Sequence, residues 1–169
     1  MKNVVIYADG ACLGNPGPGG FGLVLIYGAT QREWAKGFRL TTNNRMEILG
    51  CLTGLQMLKE PCQVTIYSDS RYVVDTMTKS WAVNWRRNSW QRKEAGRWKP
   101  AVNSDLWAPM LEMCEMHRVV FNWVRGHAGN AGNERCDELA RTAAMSSQLA
   151  VDLGYEELRR SAAAKMFEF

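Results

Sequence analysis

An apolar run that ends on one carboxylate and then a glycine-rich turn, VVIYADGACLGNPGPGGFG over residues 4–22, constrains this chain more than any other stretch. Val4 to Ala8 has the β-branched and aromatic content of a buried strand. Asp9, at its end, sets a charge beside a core, which is costly unless a cation meets it. Gly17, Gly19 and Gly22 fit G-x-G-x-x-G, but a dinucleotide-binding turn must open a helix, and Phe21 to Tyr27 reads as a second strand. The turn is therefore either an irregular connection shaped by its glycines with Pro16 and Pro18, or a loop whose backbone approaches a ligand closely.

The remainder is sized for one domain. A chain of 169 residues can bury a proper core without a second one. No apolar run approaches membrane-spanning length. The start, MKNVVIYADG, lacks the apolar core and small-residue cleavage site of a signal peptide, so a cytoplasmic protein is expected. Cys12, Cys51, Cys62, Cys114 and Cys136 are odd in number and have no C-x-x-C spacing, which argues against a disulfide framework or a zinc site and for buried thiols.

After the second strand, Arg32 to Leu40 reads as its hairpin partner across Gly28, Ala29 and Thr30. Asn44, three residues before Glu47, is placed to cap a helix running to about Glu60, where Pro61 would stop it. Val64 to Ser68 is a short strand ending at Asp69, and Ser70 can cap a helix from Arg71 to about Lys79. A Trp- and Arg-rich region follows, then a helix from about Ser104 to Glu115 and a strand from Val119 to Val124. Arg125 to Gly132 forms a glycine-bearing loop, and Asn133 is placed to cap a helix that carries Asp137 to about Met145. The order β-β-β-α-β-α-α-β-α implies an α/β fold: three antiparallel strands continued by two parallel ones into a mixed five-stranded sheet flanked by helices. In such sheets ligands sit beyond the carboxyl ends of the strands, where Asp9 and Asp69 are expected.

Four acids stand out by placement: Asp9 and Asp69 at strand ends, Glu47 and Asp137 in first helical turns. Each has a plainer reading. Glu47 could close a capping box, and Asp137 could pair with Arg141 four residues on. If all four converge, their repulsion calls for a hard divalent cation such as Mg²⁺ or Mn²⁺. Two such ions roughly 4 Å apart suit in-line phosphoryl displacement. Spacing alone leaves the convergence open.

The net charge of +4 is unevenly spread. Lys79 to Lys99 holds seven Lys or Arg, one acid and four of the seven tryptophans. Cations for phosphates and aromatic faces for bases or sugars are the ingredients of a nucleic-acid groove. The alternative is a solvated helix whose tryptophans, Trp81 and Trp85 at i and i+4, dock on the core.

The runs YADGACLGNPGPGG, TTNNRMEIL, YSDSRYV and VRGHAGNAGNERCDELA, in that order, closely resemble bacterial type 1 ribonuclease H. The resemblance implies a ribonuclease H-like fold and an endonuclease that cuts the RNA strand of RNA/DNA hybrids, leaving 5′-phosphate and 3′-hydroxyl ends. It implies two Mg²⁺ ions with substrate, Mn²⁺ being a substitute, on Asp9, Glu47, Asp69 and Asp137. His127 matches the family's catalytic-loop histidine, which moves a proton or helps product leave. By the same carry-over Thr42 and Asn84 contact a DNA phosphate, and Trp81 and Trp85 line the DNA channel. Asn15, Asn43 and Asn44 face the minor groove, where the 2′-hydroxyl marks the RNA strand. Asn44 as a plain helix cap stays an equal alternative.

Arg71 departs from the glutamine common in this branch, so a minor-groove contact could become a phosphate contact. Ala11 replaces a common serine, and NAGN is a variant of the loop after His127. The implied organisation is a catalytic domain over residues 1–146, its basic handle at about 80–100, and a C-terminal extension over 147–169. A monomer without membrane attachment is expected. Two other readings fit part of the pattern: a hybrid-binding module without catalysis, and a related-fold nuclease acting on DNA.

Overall fold

A computed structural model describes residues 1–167; the last two residues of the extension, 168 and 169, lie outside the described residues. Three long strands, β1 (Lys2–Cys12), β2 (Gly17–Tyr27) and β3 (Thr30–Thr41), open the chain as an antiparallel meander. Helix α1 (Asn43–Gln56) then leads to β4 (Cys62–Ser68), which pairs parallel to β1. The helices α2 (Arg71–Thr78) and α3 (Trp81–Arg87) precede a two-stranded hairpin of β5 (Gln91–Glu94) and β6 (Arg97–Pro100). Helix α4 (Ser104–Met116), strand β7 (Arg118–Trp123), and helices α5 (Ala131–Ala144) and α6 (Leu153–Met166) complete the chain. The main sheet runs β3-β2-β1-β4-β7, the mixed five-stranded arrangement expected from the element order.

Alternation along β1 sorts its two faces. Ile6 and Ala8 meet the α1 glycines Gly54 and Gly50 on one face, while Tyr7 lies against Gly132 of α5 on the other. Fully buried Ile6, Leu23, Ile48, Leu55, Ile66, Trp107 and Met110 form the core between the sheet and the α1–α4 layer. Among the described residues no helix is long and apolar enough to cross a membrane.

The structure corrects several local expectations. Strand β1 does not stop at Ala8: Asp9 pairs with Gly22 and the antiparallel ladder continues to Cys12 and Gly19, although the parallel ladder with β4 ends at Tyr7 and Tyr67. The glycines from Gly17 on lie within β2, not in a loop. Thr42, not Asn44, caps α1: its backbone is extended and its hydroxyl accepts from the Arg45 amide. Asn130, not Asn133, caps α5 in the same way. Glu47 and Asp137 consequently sit in second turns, where they cap nothing. Helix α1 ends at Gln56, closed by a Leu58 amide to Leu55 carbonyl bond, well before Pro61. The Ser70 cap of α2 is as expected.

The extension is tied down by polar groups. Ala150 exchanges backbone hydrogen bonds with Gly37 and Arg39 of β3, and Arg39 holds Glu156 at 2.9 Å. Buried Asp152 accepts from Arg45, the Thr41 hydroxyl and the Tyr155 amide. Leu153 and Leu158 are exposed, and α6 has no buried residue.

Candidate active site

Parallel pairing of β1 with β4 builds the first half of the site. Tyr7 and Tyr67 stack at 5.0 Å between ring centroids, and two residues further along each segment stand Asp9 and Asp69. Helix α1 supplies the second half because Gly10 lets it approach. A Cβ at Gly10 would lie 2.6 Å from the Glu47 amide nitrogen, so only a bare backbone brings Glu47 up to Asp9. Helix α5, packed across β1 and β2, contributes Asp137.

Asp9, Glu47 and Asp69 each offer a carboxylate oxygen, and these lie within 4.8 Å of one another. Asp137 joins Gly10, Asn43, Ser70 and His127 around the same cavity of about 300 Å³. It also pairs with Arg141 at 3.0 Å, so Asp137 stands on the cavity wall, outside the triad, while making the bridge expected of a structural acid. Asp9 is 4% exposed and Glu47 5% exposed. Burial, then the charge of Asp69, pushes the Asp9 carboxyl up to about 7, against the bond from the Gly10 amide at 2.9 Å. Burial, then the Asp9 charge, raises Glu47 well above the carboxylate range. Glu47 Oε2 is buried without a hydrogen-bond partner. Such an atom carries a large desolvation penalty unless a cation or proton meets it. An all-oxygen set with one unsatisfied buried carboxylate suits a hard divalent cation.

The loop from β7 to α5 closes the other side. His127 is exposed on it with φ of 54°, in the left-handed region that histidine tolerates better than most residues. Gly126 packs against the Asp69 carboxylate, and the Trp123 indole N–H donates to the Asp69 carbonyl at 3.0 Å. Neither residue stood out in the sequence beyond its nearness to the histidine run.

The other anticipated contact residues scatter around this centre. Asn43 lines the acid cavity, and its amide donates to Asn15 Oδ1 at 3.2 Å. Asn15, Thr42 and Asn44 line a second cavity of about 790 Å³, shared with Asp105 and Tyr155. Arg71 lies flat on Trp123, with the guanidinium carbon 3.6 Å from the ring centroid. On α3, Trp81 and Asn84 are exposed while Trp85 is half-buried. Trp85 and Trp90 pack against the core, whereas Trp81 and Trp98 are exposed. Buried Arg45, held by Asp105 and Asp152, was not anticipated.

Comparison with known proteins gives a consistent picture. The sequence model of the RNase H family matches residues 1–145. A ribonuclease H of Syntrophus aciditrophicus is 54% identical over 155 residues, covering 92% of this chain and 88% of its own length. One from Desulforamulus reducens is 52% identical over 153 residues, covering 90% and 94%. The crystal structure of LC9-RNase H1 superposes with a TM-score of 0.74 at 36% identity, covering 97% of this chain and 84% of that one. LC11-RNase H1, solved in complex with an RNA/DNA hybrid, superposes with a TM-score of 0.61 at 25% identity, covering 83% and 95%.

Proposed function

Because the chain belongs to the ribonuclease H family, we propose that its hydrolysis of the RNA strand of RNA/DNA hybrids takes place at the cavity of Asp9, Glu47, Asp69 and Asp137. The observation that carries this assignment is the triad of carboxylates within 4.8 Å, one oxygen of which, Glu47 Oε2, is buried and unpartnered.

The family's chemistry depends on divalent metal, and this oxygen-only set fits Mg²⁺, with Mn²⁺ as a substitute. When bound with substrate, two such ions supply an activated water and charge stabilisation at the leaving oxygen. Asp9, Glu47, Asp69 and Asp137 would hold them, and doing so would relieve the raised affinity of Asp9 and Glu47 for protons. His127, exposed beside the cavity, serves proton transfer or the departure of product. The products are a 5′-phosphate and a 3′-hydroxyl.

Asn15, Asn43 and Asn44 meet the minor groove and its 2′-hydroxyls, Thr42 and Asn84 a phosphate of the DNA strand, and Arg71 the backbone beside Asp69. Trp81 and Trp85, with the basic handle at about 80–100, line the DNA path. Residues 1–146 form the catalytic domain and 147–169 an extension to it. The protein works as a cytoplasmic monomer.

Incubation with a labelled RNA/DNA hybrid and Mg²⁺, with duplex DNA and duplex RNA alongside, tests the reading. Cleavage confined to the RNA of the hybrid, abolished in Asp9→Asn, is expected. Undiminished cleavage by Asp9→Asn would refute the site, and cutting of duplex DNA would refute the substrate.

A further inference from the structure

The rim of the acid cavity carries a contact pair that catalysis by the four acids does not use. Arg71 opens α2, two residues after Asp69, and its guanidinium lies 3.6 Å from the centroid of the Trp123 ring. Trp123 ends β7, the neighbour of β4, and its indole N–H donates to the Asp69 carbonyl at 3.0 Å. One side chain thus touches both the backbone of a metal-holding acid and the plane of the adjacent cation. Among the described residues Arg71 has no carboxylate partner within ion-pairing distance, unlike Arg39, Arg45, Arg86, Arg92, Arg135 and Arg141, and of the eight arginines so unpaired it alone stacks on a tryptophan.

An exposed arginine without a partner ordinarily samples many rotamers, and ordering it on a ligand costs entropy. Stacking on an indole removes that freedom while leaving the N–H donors at the edge of the plane directed outward. A planar fork held in this way suits the two non-bridging oxygens of a phosphate. A lysine or glutamine at the position would present a point charge or a neutral amide.

We infer that Trp123 is a positioning residue: it holds Arg71 as a rigid phosphate-binding fork and holds the Asp69 backbone, so that grip on the nucleic-acid backbone and placement of the acid are coupled through one indole. The inference rests on the hybrid-cleaving reading of the site and names a residue and a coupling beyond it. The two functions of the ring are separable. Its face serves Arg71, and its N–H serves Asp69.

The test measures binding of a short fluorescein-labelled RNA/DNA hybrid, in EDTA so that nothing is cut, across a series of NaCl concentrations. Arg71→Gln removes one phosphate contact, so the slope of log affinity against log salt falls by about 0.7 to 0.9. Trp123→Leu produces the same fall although it removes no charge, and the double variant adds nothing further. Trp123→Phe keeps a ring face and restores the wild-type slope. In Mg²⁺, lacking the indole N–H, it loses up to about tenfold in kcat, the worth of one hydrogen bond, with KM unchanged.

An unaltered slope in Trp123→Leu beside a reduced one in Arg71→Gln would overturn the positioning role, as would additive effects in the double variant. A merely structural tryptophan would shift the melting temperature and leave the slope alone. Failure of the wild type to bind the hybrid would instead bring down the substrate reading, and the coupling with it.

Discussion

A Cβ placed on Gly126 would lie 2.5 Å from Asp69 Oδ2, so the loop backbone is pressed directly against a carboxylate of the acid cluster. The backbone of Gly126 is not in the left-handed region, so alanine there meets a steric obstacle and no torsional one. Gly126→Ala must push the Asp69 carboxylate aside. Displacement of a reacting group by about 1 Å can lower a rate on the order of a hundredfold. Initial rates across a Mg²⁺ titration should show a kcat loss of that order and a raised half-saturating Mg²⁺ concentration, while the thermal melt stays within a few degrees of wild type. A variant with the wild-type metal dependence would show that Asp69 is free to sit elsewhere.

The buried acids set a pH dependence whose sign is fixed. Asp9 titrates near 3.8 when unfolded and near 7 when folded without metal, raised by burial and then by Asp69. Between those values the folded state binds more protons than the unfolded one. The stability from this proton is fully present below about pH 4 and is lost as pH rises through about 7. In EDTA the melting temperature should therefore fall from pH 5 to pH 8, and Asp9→Asn should flatten the fall while lowering kcat at least a hundredfold, roughly. Mg²⁺ at a hundred times its dissociation constant should restore about 2.7 kcal/mol at pH 8. Differential scanning calorimetry with and without metal checks both signs. A melting temperature that climbs from pH 5 to 8 in EDTA would contradict the buried, mutually repelling cluster.

Much of the architecture was legible in the sequence because it is local. Val4 to Ala8 and Val64 to Ser68 carry a strand's composition, and the acids that follow them mark the sheet end where the cavity forms. Ser70 could be named as a cap from its neighbours alone. What escaped depends on contacts across long separations. Asp9 stays inside β1 because β2, and not β4, continues to pair with it. Arg45 reads as one more polar residue on α1 until Asp105 and Asp152, 60 and 107 residues away, close around it. The hairpin of β5 and β6 was hidden by its charge: Gln91 to Glu94 and Arg97 to Pro100 have no apolar alternation, since neither strand covers a core.

His127 lies on an exposed loop and the acids do not depend on it for their placement. His127→Ala should leave hybrid affinity and melting temperature unchanged and reduce kcat by about a hundredfold, the lower end of what one positioned acid–base group contributes. Steady-state rates paired with equilibrium binding in EDTA separate these quantities. A shift in affinity comparable to the shift in kcat would place the histidine in substrate binding.

The extension carries the opposite pH signature from the cluster. Arg45 is 2% exposed and bonds Asp152 twice, at 2.8 and 2.9 Å, and Asp105 twice, at 2.9 and 2.7 Å. Burial alone would raise Asp152, but the bonds from Arg45 and Thr41 outweigh it and hold the carboxyl below its usual 3.8. The contribution of Asp152 is thus present above about pH 4 and lost as pH falls below it, where the Asp9 proton is fully stabilising. Asp152→Asn leaves half of a buried guanidinium facing a neutral amide, and breaking such a pair costs about 3–5 kcal/mol. The variant should melt lower by about 6–20 °C at neutral pH, and the gap to wild type should narrow as the pH is taken from 5 towards 3. Because Thr41 and Arg45 flank Thr42, the same variant should weaken hybrid binding in EDTA at a temperature where it is still folded. Wild-type affinity under those conditions would confine the extension to a purely stabilising role.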